Sequence, residues 1–287
     1  MSSGISLSSS LSQNLASLQA TQSLMDATEY KLTTGKKVNS ALDDPIAYFT
    51  SQEHLQRSTD LQSRKDEMSE AIQTIKAADN GITGIEDLIA SAKSMAQSAL
   101  SATSESDMTD YITQYNELLS QIDDLAEDSG YSGVNLLGGS SQTLEVNFDE
   151  KGDSKITLTG FDSSSGTSGL KISQATAATW YTGTDATDDF AATKTAINAA
   201  IDSLDSAKDT LRTKSKSLSN QLSIVTARQD FTTGMITTLG DGSANLINAD
   251  TTTEGVNLTT LQTQQSLAVK SLSIANSASQ AVLSLFQ

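Results

Sequence analysis

Cysteine is absent from the chain, and with it go disulfide bridges, thiolate metal sites and a cysteine nucleophile. A chain without thiols suits either redox environment, so this absence leaves the compartment open. One proline stands where average usage would give roughly fourteen, so almost nothing interrupts helical hydrogen bonding. Aromatic residues make up only 5% of the sequence, which leaves Leu, Ile, Ala and Met to fill the core and disfavours a sandwich or barrel. Basic residues are few as well: 18 Lys and Arg face 35 Asp and Glu, a formal charge of −17. Such a surface attracts neither phosphates nor acidic head groups, which argues against nucleic acid and membrane as partners. No run of 18 apolar residues occurs, so no membrane-spanning helix is expected. A cleaved signal peptide is not expected either, because the first basic residue is Lys31 and the opening MSSGISLSSSLSQNL has no continuous apolar core.

What the chain does have is apolar spacing at both ends. Leu258, Leu261, Gln265, Ala268, Leu272, Ala275, Ser279, Val282 and Phe286 follow an unbroken 3-4 step, the spacing of a coiled-coil seam. Leu11, Leu15, Leu18, Gln22, Met25, Glu29 and Leu32 repeat it near the other end. Seams of this length need a partner. A chain that runs out and returns would bring the two side by side. The ends are then expected to order fully only when neighbouring copies add burial. The polar members Gln22, Glu29, Gln265 and Ser279 are the expected register-setters.

Between the seams the punctuation is sparse. A first helix is expected from about residue 6 to 34, closed by Gly35 in the left-handed position after its last turn. Asp44-Pro45 reads as N-cap and first helical residue of a second helix reaching about residue 100, weakened in its middle by Gly81 and Gly84. Met108, Tyr111, Tyr115, Leu118, Ile122 and Leu125 mark a third helix, ended by the Ser129–Gly133 turn cluster. Leu144, Val146 and Phe148 alternate with polar residues, as do Ile156 and Leu158, which is hairpin patterning. A long helix follows from Phe190 to Leu239, expected to stop at Gly240 and Gly242, and Thr251 to Glu254 has capping-box spacing for a last helix. The expected fold is mainly α: a long antiparallel helical bundle or coiled coil with a small β-hairpin region, in which the N- and C-terminal helices pair as an inner domain.

Catalytic chemistry finds little support. A zinc peptidase needs two histidines one helical turn apart, and only His54 is present. Adjacent acids such as Asp123 and Asp124 do not share a helix face and read as solvated surface. Asp149, Asp153, Asp185, Asp188 and Asp189 lack the order of a calcium loop, and Trp180 reads as a packing anchor. No cofactor and no metal are expected.

Three segments resemble the bacterial flagellins. Residues 31–45, KLTTGKKVNSALDDP, are similar to that family's helix end, basic-Val-Asn-Ser-Ala step and paired aspartates. Residues 130–137, GYSGVNLL, resemble the segment before its variable region, and residues 264–286 resemble its closing helix. The resemblance implies a self-assembling subunit of the extracellular flagellar filament, exported through the flagellar type III apparatus without a cleaved signal peptide. It also implies many copies of the chain itself as partners, an export chaperone on the C-terminal helix, and hook-associated and cap proteins. A hook-associated junction protein shares the same ends and is the nearest alternative; a ligand-binding surface protein is a more distant one. By position, residues 1–43 and 243–287 would form the inner coiled-coil domain and residues 44–140 and 190–242 the outer helical domain, with a short insert at 141–189. The expected assembly seam is Leu11, Leu15, Leu18, Met25, Leu32, Leu258, Leu261, Ala268, Leu272, Ala275, Val282 and Phe286. Gly35, Asn39, Asp43, Asp44, Pro45, Asn248 and Asp250 would form the junction between domains.

The helix segment that innate immune receptors read in many flagellins carries two Arg and a Glu before Ala-Val-Gln. Here the aligned positions are Ala90, Ala92 and Lys93, with Gln97 retained. Losing two guanidinium forks and reversing one charge removes the donors such a contact uses. Monomer applied to receptor reporter cells is therefore expected to give little or no signal; a potent response would contradict the reading of this segment.

Overall fold

The computed structural model describes residues 9–181 and 190–285. The elements are α1 (Ser9–Thr34), α2 (Pro45–Ala99), α3 (Glu105–Asp128), β1 (Thr143–Asn147), β2 (Lys155–Thr159), α4 (Ala177–Trp180), α5 (Phe190–Ile247) and α6 (Thr251–Leu285). The expected helical fold with one hairpin is what the chain adopts. Two compact units divide it: residues 58–236 form one, and residues 1–57 with 237–287 form the other. The division lies inside α2 and α5.

Local chemistry starts the helices. Ser104, extended at φ −131°, accepts the Asp107 amide at 3.1 Å and caps α3, whose first turn carries Glu105 and Asp107 at the positive end of its dipole. Asp44 accepts the Ala47 amide at 3.0 Å and Pro45 takes the first helical position, as the sequence indicates.

The unit of residues 58–236 has a continuous apolar core. It is filled from α2 by Met68, Ile75, Ile82, Ile85 and Ile89, from α3 by Tyr115, Leu119 and Ile122, and from α5 by Ile197, Leu204, Leu211 and Val225. Gly81 and Gly84 do not merely weaken α2; they let α3 and its following turn come close. A Cβ at Gly81 would lie 2.7 Å from Ser129 Cβ and 2.8 Å from Leu137 Cδ1, and one at Gly84 would lie 2.8 Å from Leu125 Cδ2. Polar pairs fix the long helices further: Ser215 Oγ donates to Asp79 at 2.8 Å and Gln229 Nε2 to Ser69 Oγ at 2.6 Å.

The hairpin pairs Leu144 with Leu158 and Val146 with Ile156 in antiparallel register. Val146 and Leu158 are buried in the core of this unit. Asp149 accepts the Ser154 amide at 3.1 Å and closes the turn, a structural use for a carboxylate considered as a calcium ligand. Asp185, Asp188 and Asp189 lie outside the described residues. Asp123 is not simply solvated: it accepts the Ser165 amide at 2.6 Å and its hydroxyl at 3.0 Å, which ties the Ser/Gly-rich loop to α3. The one-turn helix α4, not foreseen, seats Trp180 against the Tyr115 ring at 4.8 Å. Burial pushes the Tyr115 hydroxyl up to about 12, and that hydroxyl donates to the Ser173 carbonyl at 3.1 Å.

One correction concerns α5. The helix runs through Gly234, Gly240 and Gly242 to Ile247, so the glycines expected to end it do not. Each costs only about 1 kcal/mol relative to Ala, while Leu239 and Ser243 on the same face are buried. Ser243 Oγ meets Ser51 Oγ of α2 at 2.8 Å, and Gly242 receives the His54 ring, at 3.6 Å from where its Cβ would stand.

Gly81→Ala should destabilise the chain by about 1–3 kcal/mol through overpacking. Gly240 has open space around it, so Gly240→Ala should be neutral or stabilising by up to about 1 kcal/mol. Urea midpoints of the two variants test the contrast; equal midpoints would contradict it.

Candidate assembly surface

α1 packs against α6. Their direction is antiparallel, because Gln265 Nε2 donates to Gln22 Oε1 at 2.6 Å while Lys31 meets Glu254 at 3.5 Å. On α6 from Leu258 onward the half-buried residues are Leu258, Leu261, Gln265, Ala268, Leu272 and Ala275, with exposed residues between them. This is the spacing read from the sequence.

On α1 the contact face is rotated. Leu18, Met25 and Leu32 lie in it, but the half-buried or buried positions that alternate with them are Asn14, Thr21 and Thr28 rather than Leu15, Gln22 and Glu29. Counting from a leucine, steps of 3-4 and 4-3 both return to the same residue after seven, so the sequence alone permits either face. Leu15 is left 39% exposed. Gln22 still reaches across, held by its own amide donating to Asp26 at 2.8 Å. Phe286 lies outside the described residues, as do the side chains of Leu11, Ser279 and Val282.

The pairing leaves both helices underburied. Among the described side chains of α1 and α6, Thr28, at 8% exposure, is the single buried one. A second apolar row stays in solvent: Leu267 is 63% exposed and Ile274, one heptad further on, 70%. Leu24, Tyr30, Val256 and Val269 are exposed as well.

The segments that join α1 to α2 and α5 to α6 are, by contrast, densely bonded. Gly35, at φ +69°, ends α1 as expected, and its carbonyl accepts the Ala249 amide at 2.9 Å. Lys36 bridges to Asn248, the Lys37 amide donates to the Ile247 carbonyl at 2.8 Å, and Lys37 Nζ donates to the Asn245 carbonyl at 2.9 Å. Val38 is buried here. Asn39 donates its amide to Asp43 Oδ2 at 2.9 Å and its side chain to the Lys36 carbonyl at 3.3 Å. Ser40 adds its own amide to Asp43 at 2.9 Å. The Asn39 amide, then the Ser40 amide, hold the Asp43 carboxyl below its ordinary value. Asp250, not Thr251, caps α6: it accepts the amides of Thr252 at 2.9 Å and Thr253 at 3.2 Å, and the Thr253 hydroxyl at 2.8 Å. That hydroxyl first, and then the two amides, lower the Asp250 carboxyl. A carboxylate outcompetes a threonine hydroxyl for free helix amides, and Glu254 turns to Lys31 instead of completing a capping box.

In the segment aligned with the immune-receptor contact, Ala90 and Gln97 are exposed, and Lys93 pairs with Asp205 at 2.6 Å. Ala92 is fully buried in the core, so of the four residues it alone is off the accessible face.

Residues 5–142 match the family description "Bacterial flagellin N-terminal helical region", and residues 185–286 match "Bacterial flagellin C-terminal helical region". The chain is 29% identical to the flagellin FljO of Caulobacter vibrioides over 274 residues, covering 95% of this chain and 94% of that one. It is 27% identical to a flagellin of Brucella melitensis over 280 residues, 95% of each. A crystal structure of Bacillus cereus flagellin is similar with a TM-score of 0.45 and 17% identity, over 58% of this chain and 88% of that one. The chain belongs to the bacterial flagellin family.

The lowered carboxyls set an acid limit for the junction. A group whose folded value lies below its unfolded one stabilises the fold above the unfolded value, about 3.9, and loses that contribution as pH falls through the folded one. Melting temperature should therefore drop between about pH 5 and 3, and Asp250→Asn, which can still accept amides but does not titrate, should flatten the drop. An unchanged slope in Asp250→Asn would contradict this role.

Proposed function

We propose that this chain polymerises through α1 and α6, with further copies of itself as partners, to form the helical filament of the bacterial flagellum, a structural rather than an enzymatic role in motility. One observation carries the reading: the α1–α6 pair buries a single described side chain, Thr28, and leaves a second apolar row unpartnered. A helix pair so incompletely buried gains most when neighbours close over it.

The seam residues then divide between two tasks. Leu18, Met25, Leu32 and the α6 series hold the two helices of one copy together, while Leu15, Leu267 and Ile274 meet other copies. The junction residues Gly35, Asn39, Asp43, Asp44, Pro45, Asn248 and Asp250 hold the connection between the seam helices and the long helices. Beyond the polymer itself, the reading includes export through the flagellar apparatus without a cleaved signal peptide, an export chaperone that shields the exposed α6 row before assembly, and hook-associated and cap proteins at the two ends of the filament. The extracellular flagellum is the place of action.

Truncation separates assembly from folding. Removing all residues after Leu267 deletes Leu272, Ala275 and Ile274 but touches nothing in the unit of residues 58–236. The truncated protein should keep the cooperative unfolding of that unit and fail to elongate filament seeds under the electron microscope. Filaments as long as those of the full chain would place assembly elsewhere.

A further inference from the structure

Two other apolar stripes are exposed, one on each compact unit. The first starts in the turn before α2. Leu42 is 95% exposed, and Ile46 and Phe49 follow at steps of four and three, also in solvent. The turn that carries them is built. Asp43 accepts two backbone amides at 2.9 Å each, the Leu42 amide donates to Ser40 Oγ at 3.3 Å, and Asp44 caps the helix on which Ile46 and Phe49 stand. An ordered turn that presents a leucine to water has the form of a preorganised contact. The second stripe lies on α5, where Ile224, Arg228 and Phe231 are exposed at steps of four and three, on one helix face. The Arg228 guanidinium stands over the Phe148 ring at 5.2 Å, which holds it in place.

We propose that the Leu42–Ile46–Phe49 stripe of one copy docks on the Ile224–Arg228–Phe231 stripe of a second copy. The proposal rests on the filament reading above. Charge selects this pairing over the alternatives. Asp43, Asp44 and the exposed Glu53 flank the first stripe, and Arg228 sits in the second, so unlike stripes attract. Pairing the first stripe with itself would bring both sets of carboxylates together, in a chain that already carries −17. Composition agrees for Phe49, Phe231 and Arg228, since aromatic residues and arginine are enriched at interfaces. The topology follows as well. Two different patches on one chain make a heterologous, head-to-tail contact, which repeats without closing whenever the rotation between copies does not return on itself. A helical polymer requires a contact of that kind.

The absence of native cysteine makes the test clean, since introduced thiols have no competitors. Ile46→Cys and Phe231→Cys are prepared as separate proteins and co-assembled, alone or together, with unmodified chain, then oxidised. Covalent dimers should form in filaments that hold both variants. They should be absent from filaments that hold one variant and from the dilute mixture of monomers. Filaments holding both variants without dimers would overturn the contact, as would dimers in single-variant filaments. If the unmodified chain forms no filaments at all, the filament reading itself fails, which is a distinct result. A second measurement leaves the apolar residues in place: Arg228→Glu should raise the critical concentration for assembly about tenfold, the loss expected for one interfacial charge contact. An unchanged critical concentration would overturn the role given to Arg228.

Discussion

A helix pair that one copy can only half bury is the constraint on which this structure depends. α1 offers Leu18, Met25 and Leu32 to α6, but fills the alternate positions of the contact with Asn14, Thr21 and Thr28. Such a seam sets direction and register, through Gln22 with Gln265 and Lys31 with Glu254, without removing much apolar area from water. The apolar rows left over are not a packing failure. Under the function proposed here they are the surface that further copies of the chain cover.

The rest of the molecule supplies what the seam lacks. The unit of residues 58–236 has its own closed core, in which small residues at Gly81 and Gly84 bring α3 within reach and Trp180 and Tyr115 fill the space beside it. The connecting segments gain order from charge-assisted hydrogen bonds rather than burial. Asp43, Asp44 and Asp250 each accept backbone amides at a turn or helix start. Polar geometry can thus fix the path of the chain in segments where the surface remains available to neighbours.

Much of this was legible in the sequence, and the parts that were not have physical causes. The Asp44-Pro45 start, the Gly35 stop, the presence of a hairpin and the 3-4 spacing of the half-buried row from Leu258 to Ala275 each rest on a local rule that tertiary contacts did not override. The α1 face that packs on α6 was ambiguous because Leu15 satisfies the same seven-residue repeat as Asn14, and hydrophobicity favours Leu15, which the pairing leaves exposed. The α5 glycines misled because their cost, about 1 kcal/mol each, is offset where the helix buries Leu239 and hydrogen-bonds Ser243 to Ser51 of α2. Asp250 was missed as the α6 cap because the Thr-Thr-Thr-Glu pattern after it satisfies the capping-box rule equally well. The Leu42–Ile46–Phe49 stripe straddles a turn and a helix, so no single periodicity marks it.

The central claim is that burial of α1 and α6 is completed between copies. Hydrogen exchange of backbone amides, compared between dilute monomer and assembled filament, tests it most directly. Amides of α1 and α6 should exchange much faster than those of the α2 and α3 core in the monomer, and should become as protected as that core in the filament. Equal protection of α1, α6 and the core in the dilute monomer would contradict the account.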